Sequence, residues 1–415
     1  MAATSNERRI LVTTSAAHFL AHLYELSFPA MALTLQDEIG WSLGEVLRLS
    51  FTMYLLFGVG SLPMGLLTDW WKARWMLVLC MLGSGIGACL VALSHGKAQF
   101  VASLALVGLC ASMYHPAGMA LLSRSMRERG RALGTNGVFG NLGSASAPFL
   151  AGLLAYSFGW RAAYAVLGGL GILAGLLALA WPFTETDPRR APAQAMPGGG
   201  GRTTLGYFLI LCVAMTLAGF TYRGVSLVLP AAFRAEATFF SDWLRGFELG
   251  RIAGISNLAA ATLASVTYAA GMLGQLVGGR LADQHDLRKM YFLFHAASLP
   301  FLIAMAFAAE LPLLLFACGF VFFSLGMQPI ENSLVARFTP ERWRSTSYGV
   351  KFVLNFGVGA TAVYAVTAVQ TDGGFRPAFL LLAGAVALVC LAIAALLVRS
   401  RGVHVSNAPV VQPIA

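Results

Sequence analysis

Residues 10–36 read ILVTTSAAHFLAHLYELSFPAMALTLQ, an apolar run long enough to cross a bilayer that carries three ionisable groups, His18, His22 and Glu25. Steps of four and three residues put all three on one face of a helix, stacked over about two turns. Each is costly against lipid, so that face must look into a bundle interior or a water-filled cavity. Two readings follow. Either these groups move protons and meet a solute, or two neutral imidazoles and a protonated carboxyl merely tie helix to helix by hydrogen bonds.

The rest of the chain has the same character. Of its 415 residues 58% are hydrophobic and 11% charged, with a mean hydropathy of +0.72, whereas a soluble domain carries roughly a quarter charged residues. This composition requires a polytopic all-α membrane protein. The 45 glycines suit close helix packing in lipid. Cys80, Cys89, Cys110, Cys212, Cys318 and Cys390 all lie in apolar runs without a C-x-x-C pair, and read as small packers rather than disulfides or metal thiolates. Met1 to Arg9 is basic, but the run behind it lacks a small-residue cleavage signal, so a spanning helix is expected there and not a removed signal peptide.

Windows of about 20 apolar residues mark about twelve spans, at 10–35, 46–68, 75–95, 99–122, 134–156, 161–183, 205–232, 256–281, 290–309, 311–335, 346–368 and 377–399. With both termini cytoplasmic, 19 of the 28 Lys and Arg fall inside and six outside. The positive-inside rule then orients the chain in a cell inner membrane, and the net charge of +10 needs no nucleic-acid partner.

Thr184 to Thr204 is the one long polar linker, with Asp187-Pro188-Arg189-Arg190 and Gly198 to Gly201. It divides the chain into two pseudo-symmetric six-helix bundles, 1–183 and 205–399, joined by a cytoplasmic linker 184–204 and followed by a cytoplasmic tail 400–415. The halves echo one another: Asp69 and Asp283, His115-Pro116 and Gln328-Pro329, Arg124 and Arg337, Asn141 and Asn355 recur at nearly one offset. His22-x-x-Glu25-x-x-x-Pro29 is answered by Arg223-x-x-Ser226-x-x-x-Pro230. Such parallel repeats place a site at their interface near the midplane.

Gly65-Leu66-Leu67-Thr68-Asp69 ahead of basic residues, its echo Gly279-Arg280-Leu281-Ala282-Asp283, and the six-plus-six layout resemble the major facilitator superfamily over essentially the whole chain. His18-Phe19-Leu20-Ala21-His22-Leu23-Tyr24 with Pro29, and Tyr114-His115-Pro116-Ala117-Gly118, resemble its fosmidomycin-resistance-like branch. The resemblance implies twelve transmembrane helices, alternating access, efflux of a drug-like solute, and gating at Asp69, Arg74, Asp283 and Arg288. In that branch the position of His22 is usually acidic, so the resemblance does not supply the proton-coupling residue. Lys72 and Ala73 also depart from the loop pattern, which usually has a glycine and a basic residue there.

Those loop carboxylates are expected to pair with nearby guanidinium groups as a latch that breaks on opening, or simply to solvate turns. Within the membrane, Glu25, His18 and His22 are candidates for proton coupling, and Arg223, His115, Tyr24, Tyr222, Asn141 and Glu331 for contact with solute. Arg223 stays charged when buried, so it either holds an anionic group or forms a structural ion pair with Glu25 or another carboxylate. Lys351 is expected to snorkel to the cytoplasmic face.

The leading expectation is a monomeric, proton-coupled antiporter or symporter for a small anionic organic solute. The spacing of His18, His22 and Glu25, with His115 and Glu331, also suits a divalent metal carrier. No G-x-x-x-x-G-K-[ST] loop and no nucleophile, base and orienter set are present, so neither an ATP-driven pump nor an enzyme is expected, and no cofactor.

Overall fold

The computed structural model describes residues 4–185, 202–247, 254–339, 344–370 and 374–401, excepting the side chains of residues 69, 129, 130, 202–204, 344 and 345. Most of the expected linker and tail, 186–201 and 402–415, therefore lies outside the described residues.

Helix α1 runs Ser5–Ile39, longer at both ends than its apolar run. Its start is set by a capping box, in which Glu7 N donates to Thr4 Oγ1 and Thr4 N donates to Glu7 Oε2. Gly40, at φ 75, ends it in the left-handed conformation. Then come α2 (Leu43–Thr68), α3 (Ala73–Ala92), α4 (Lys97–Ser125) and a continuous stretch Arg131–Ala180. That stretch breaks at Gly159, φ 82, into α5 (131–158) and α6 (160–180). Helix α7 (Leu205–Glu236) opens the second half. After a short helix, Phe239–Arg245, come α8 (Ile255–Gln284), α9 (Leu287–Met305), α10 (Glu310–Phe338), α11 (Thr346–Val369) and α12 (Arg376–Arg399). The twelve expected spans are all present as helices.

The repeat is visible in local breaks. Helix α4 loosens at Ser112 and Met113, just ahead of Tyr114-His115-Pro116, and α10 at Met327, just ahead of Gln328-Pro329. Each proline thus sits in the first turn of a new helical segment, where its missing N–H costs little. Helix α11 departs further, winding as a π-helix over Val353–Gly357 and a 3-10 turn over Val358–Thr361. Such loosened winding is frequent at functional sites.

Burial is inverted relative to a soluble protein. Leu177 and Leu391 are about 60% exposed on the outer surface, while Glu25, Arg223 and Glu331 are buried at the centre. The seam between halves is closed along its length by α1 on α7, α2 on α11 and α5 on α8. On the face away from the termini, Arg234 donates to Asp37 (2.9 Å), Gln36 (2.6 Å) and Asn257 (3.2 Å). Toward the terminal face, Asn141 Nδ2 donates to Gln275 Oε1 at 2.6 Å, and Gln275 to Gln328 at 2.8 Å. Between them Gly58 presses on the Gly357 backbone so closely that a Cβ would overlap it. A cavity of about 380 Å³ beside Arg48 opens on the far face, but the void beside Glu25 is only about 10 Å³, room for about one water.

Candidate functional site

Glu25 lies at the middle of α1 and both its oxygens are engaged. Oε2 accepts from His22 Nδ1 at 2.7 Å, one turn away on the same face, and Oε1 accepts from Arg223 Nη2 at 2.5 Å across the seam. The guanidinium also stands 3.7 Å from the centroid of the Tyr54 ring, whose hydroxyl donates to the Glu25 carbonyl at 3.1 Å. The side chain of Arg223 is 1% exposed. A guanidinium so placed needs a counter-charge, and Glu25 supplies it. Yet Arg223 Nε and Nη1 are buried without a hydrogen-bond partner. Both nitrogens can only donate.

About two turns from Glu25 toward the terminal face, His18 Nδ1 is 2.9 Å from both the backbone and side-chain oxygens of Asn136. A backbone oxygen only accepts, so Nδ1 carries the proton and Nε2 is left as acceptor. The same Asn136 Oδ1 accepts from Tyr114 at 2.6 Å, and the Tyr114 ring stacks on His18 at 4.4 Å. Asn136 was not singled out in the sequence, where it is one polar residue in the Gly-rich start of α5. His115, from α4, completes the group, with ring centroids 5.6 Å from His18 and 5.4 Å from His22, and its Nε2 has no partner.

His18, His22 and His115 have ligand atoms within 4.8 Å of one another and are the residues here that could hold a metal ion. This corrects the expected donor set: Glu25 faces His22 and Arg223 instead of a shared ion, and Glu331 lies in a different cluster.

Aromatic rings layer across the seam below this group. His115 lies on Phe352 of α11 at 4.6 Å and 20°, and Phe352 is parallel to Phe356 within 6°. Phe57 of α2 meets both His115 and Phe356 edge-on.

A second buried cluster belongs to the second half. Glu331 pairs with Lys351 at 2.8 Å, and accepts from Tyr291 at 2.5 Å and Asn355 at 3.1 Å. Lys351 also donates to Asn332 Oδ1 at 2.5 Å. Lys351 therefore does not snorkel to the surface; the neighbouring carboxylate neutralises it in place. Glu331 is in this pair rather than beside Arg223.

The remaining expected contacts spread apart. Tyr24 donates its hydroxyl to the Leu167 carbonyl of α6 at 2.9 Å, and Tyr222 packs partly buried on the main core beside Arg223. Asn141 is spent on Gln275 in the seam.

Of the two expected latches, the one in the second half is arranged differently, and in the first half the Asp69 side chain lies outside the described residues. Among the described residues near Arg74, Glu185 accepts from the backbone N–H groups of Ala73 (3.0 Å) and Arg74 (3.2 Å) and stands 3.8 Å from Arg124. The Arg74 guanidinium donates to the Leu179 carbonyl. In the second half Asp283 is exposed, and Arg288 pairs with Asp286 at 2.6 Å and donates to Ser400. Asp286 caps α9 through the N–H groups of Arg288 and Lys289, at the position that Lys72 occupies in the repeat. Glu185 thus supplies from a distance the cap that Lys72 cannot.

A family model described as Major Facilitator Superfamily matches residues 14–233 and again 211–414. Among characterised proteins, a probable L-galactonate transporter of Escherichia coli is 28% identical over 180 residues, which span 42% of this chain and 39% of that one. Multidrug resistance protein MdtG of Yersinia enterocolitica is 26% identical over 333 residues, 77% of this chain and 75% of that one. Among solved structures, the peptide transporter POT in complex with sulfate superposes with a TM-score of 0.73 at 14% identity, covering 94% of both chains.

Proposed function

The chain belongs to the Major Facilitator Superfamily, and from that premise we propose that it is a proton-coupled carrier of a small organic anion, working by alternating access in the inner membrane. Its relatives include a probable L-galactonate transporter and a multidrug resistance protein, and a multi-pass secondary transporter is the coarse function of this chain. The observation that carries the finer reading is the Arg223–Glu25 pair, which bridges the halves and leaves two guanidinium nitrogens unpaired.

Arg223 keeps its charge in every state, so the competition is over which anion it holds. While Glu25 is ionised it occupies the guanidinium and the seam stays shut. A proton delivered through His22 neutralises Glu25 and weakens its hold, and the solute's acid group takes its place. Proton and anion then cross together. Exchange in opposite directions would instead require an ionised Glu25 and a solute anion on one guanidinium at the same time, which like-charge repulsion disfavours. The fosmidomycin-resistance likeness of His18 to Pro29 and of Tyr114 to Gly118 stays within this proposal as a pointer to anionic, drug-like cargo.

Proteoliposomes loaded with a pH-sensitive dye test it. Anion influx through the wild type should acidify the lumen, and Glu25→Gln should retain anion exchange but lose accumulation driven by a proton gradient. Proton-driven accumulation by that variant at the wild-type level would make Glu25 a structural partner only.

A further inference from the structure

We propose that the solute is an aromatic acid whose planar ring replaces Phe352 against His115 while its carboxylate reaches Arg223, an inference that rests on the anion reading above. Three observations lead there. First, the layered rings belong to both halves: His115 to α4, Phe352 and Phe356 to α11. When the seam opens, His115 and Phe352 each lose a parallel partner at 4.6 Å and present a bare ring face to the cavity. A planar ring restores both contacts, whereas a puckered one touches each face at a few atoms only.

Second, two of the side chains with unpaired buried polar atoms are His115 and Arg223. His115 Nε2 and Arg223 Nε and Nη1 are buried and without partners, and both side chains are more than nine-tenths buried. The Arg223 nitrogens call for acceptors, which an acid group provides, and His115 Nε2 calls for a polar partner.

Third, the two features are not adjacent. The path from His115 to Arg223 passes His22, 5.4 Å from His115 between ring centroids, and then Glu25. The carboxylate must therefore stand off the ring on an arm of a few bonds, as in an arylalkanoic acid, rather than be attached directly to it.

The test uses the full-length protein in nanodiscs and three probes of one length: phenylpropionate, cyclohexylpropionate and phenylpropionamide. Simple burial favours the cyclohexyl acid, which has more apolar surface to remove from water. Ring stacking reverses that order, and phenylpropionate should bind roughly tenfold tighter than cyclohexylpropionate in calorimetry. Phe352→Leu should abolish that preference while cyclohexylpropionate still binds, which shows the variant to be folded; Phe352→Tyr should restore it. Equal binding of the two acids, or a preference that survives in Phe352→Leu, overturns the aromatic inference and leaves the anion reading standing. Amide binding as tight as the acid, or no binding of either acid, overturns the anion reading and the aromatic inference with it.

Discussion

Arg223 and Glu25 show what one buried pair demands of its surroundings. Removing one partner leaves an uncompensated charge, which costs about 3–5 kcal/mol, while removing both leaves two neutral groups. Glu25→Gln and Arg223→Gln should each lower thermal stability in detergent, and the double variant should be more stable than Arg223 with its partner gone. Strictly additive losses would show that the two side chains do not interact. Solute binding should respond differently, because in the proposed carrier only Arg223 holds the anion. At about 5 Å and an effective dielectric near 20, the lost charge pair is worth roughly 3 kcal/mol, so Arg223→Gln should weaken anion binding about a hundredfold. Unchanged affinity in a direct binding assay would remove Arg223 from the solute site.

At the scale of elements, the ends of α3 and α9 solve one problem by different means. Both helices begin at the terminal face with backbone N–H groups to satisfy. Asp286 does this locally for α9, and Glu185 does it for α3 from beyond the end of α6. Burial alone would raise the Asp286 carboxyl, but hydrogen bonds and charge from Arg288 outweigh it and hold the group below the usual carboxylate range. Its folded value lies below the unfolded one, so its contribution is present above the unfolded pKa, about 3.9, and fades as pH falls through the folded value. Asp286→Ala should cost about 1 kcal/mol at neutral pH through the lost cap. The gap to wild type in denaturation midpoint should shrink as pH falls through that window, and a gap that stays constant into strong acid would argue that the charge contributes nothing.

For the whole molecule, alternating access requires a seam that can both close and part. Gly58 and Gly357 bring α2 and α11 into backbone contact, an approach only small residues allow. Gly58→Leu should block this closure, so distances between spin labels on the two halves should lengthen; an unchanged distribution would show that closure does not depend on this contact. Sidedness is a separate expectation of the basic-residue asymmetry. A cysteine at Ser5 should react with an impermeant reagent only in inside-out vesicles, and one at Lys97 only in right-side-out vesicles; the opposite pattern inverts the topology.

Hydropathy and periodicity are properties of neighbouring residues, which is why the twelve spans, the two-fold repeat and the polar face of α1 could be read from the chain itself. A 3.6-residue turn decides that His18, His22 and Glu25 share a face whatever surrounds them. The partners of that face depend on how helices pack. Glu25 meets Arg223 at a separation of 198 residues, Asn136 fixes His18 from α5, and Phe352 covers His115 only because α11 lies against the first half along α2. The local sequence around Lys351, an apolar helix near an interface, suits snorkelling, and nothing there announces Glu331 one helix away. The partner of Arg288 is likewise a matter of geometry: Asp283 and Asp286 both lie within five residues of it along the chain, and the turn into α9 aims Asp286 at the guanidinium. Spacing along a helix could nominate the charged groups, but the pairing of a buried charge is set by whichever face packs against it, and that is decided in three dimensions.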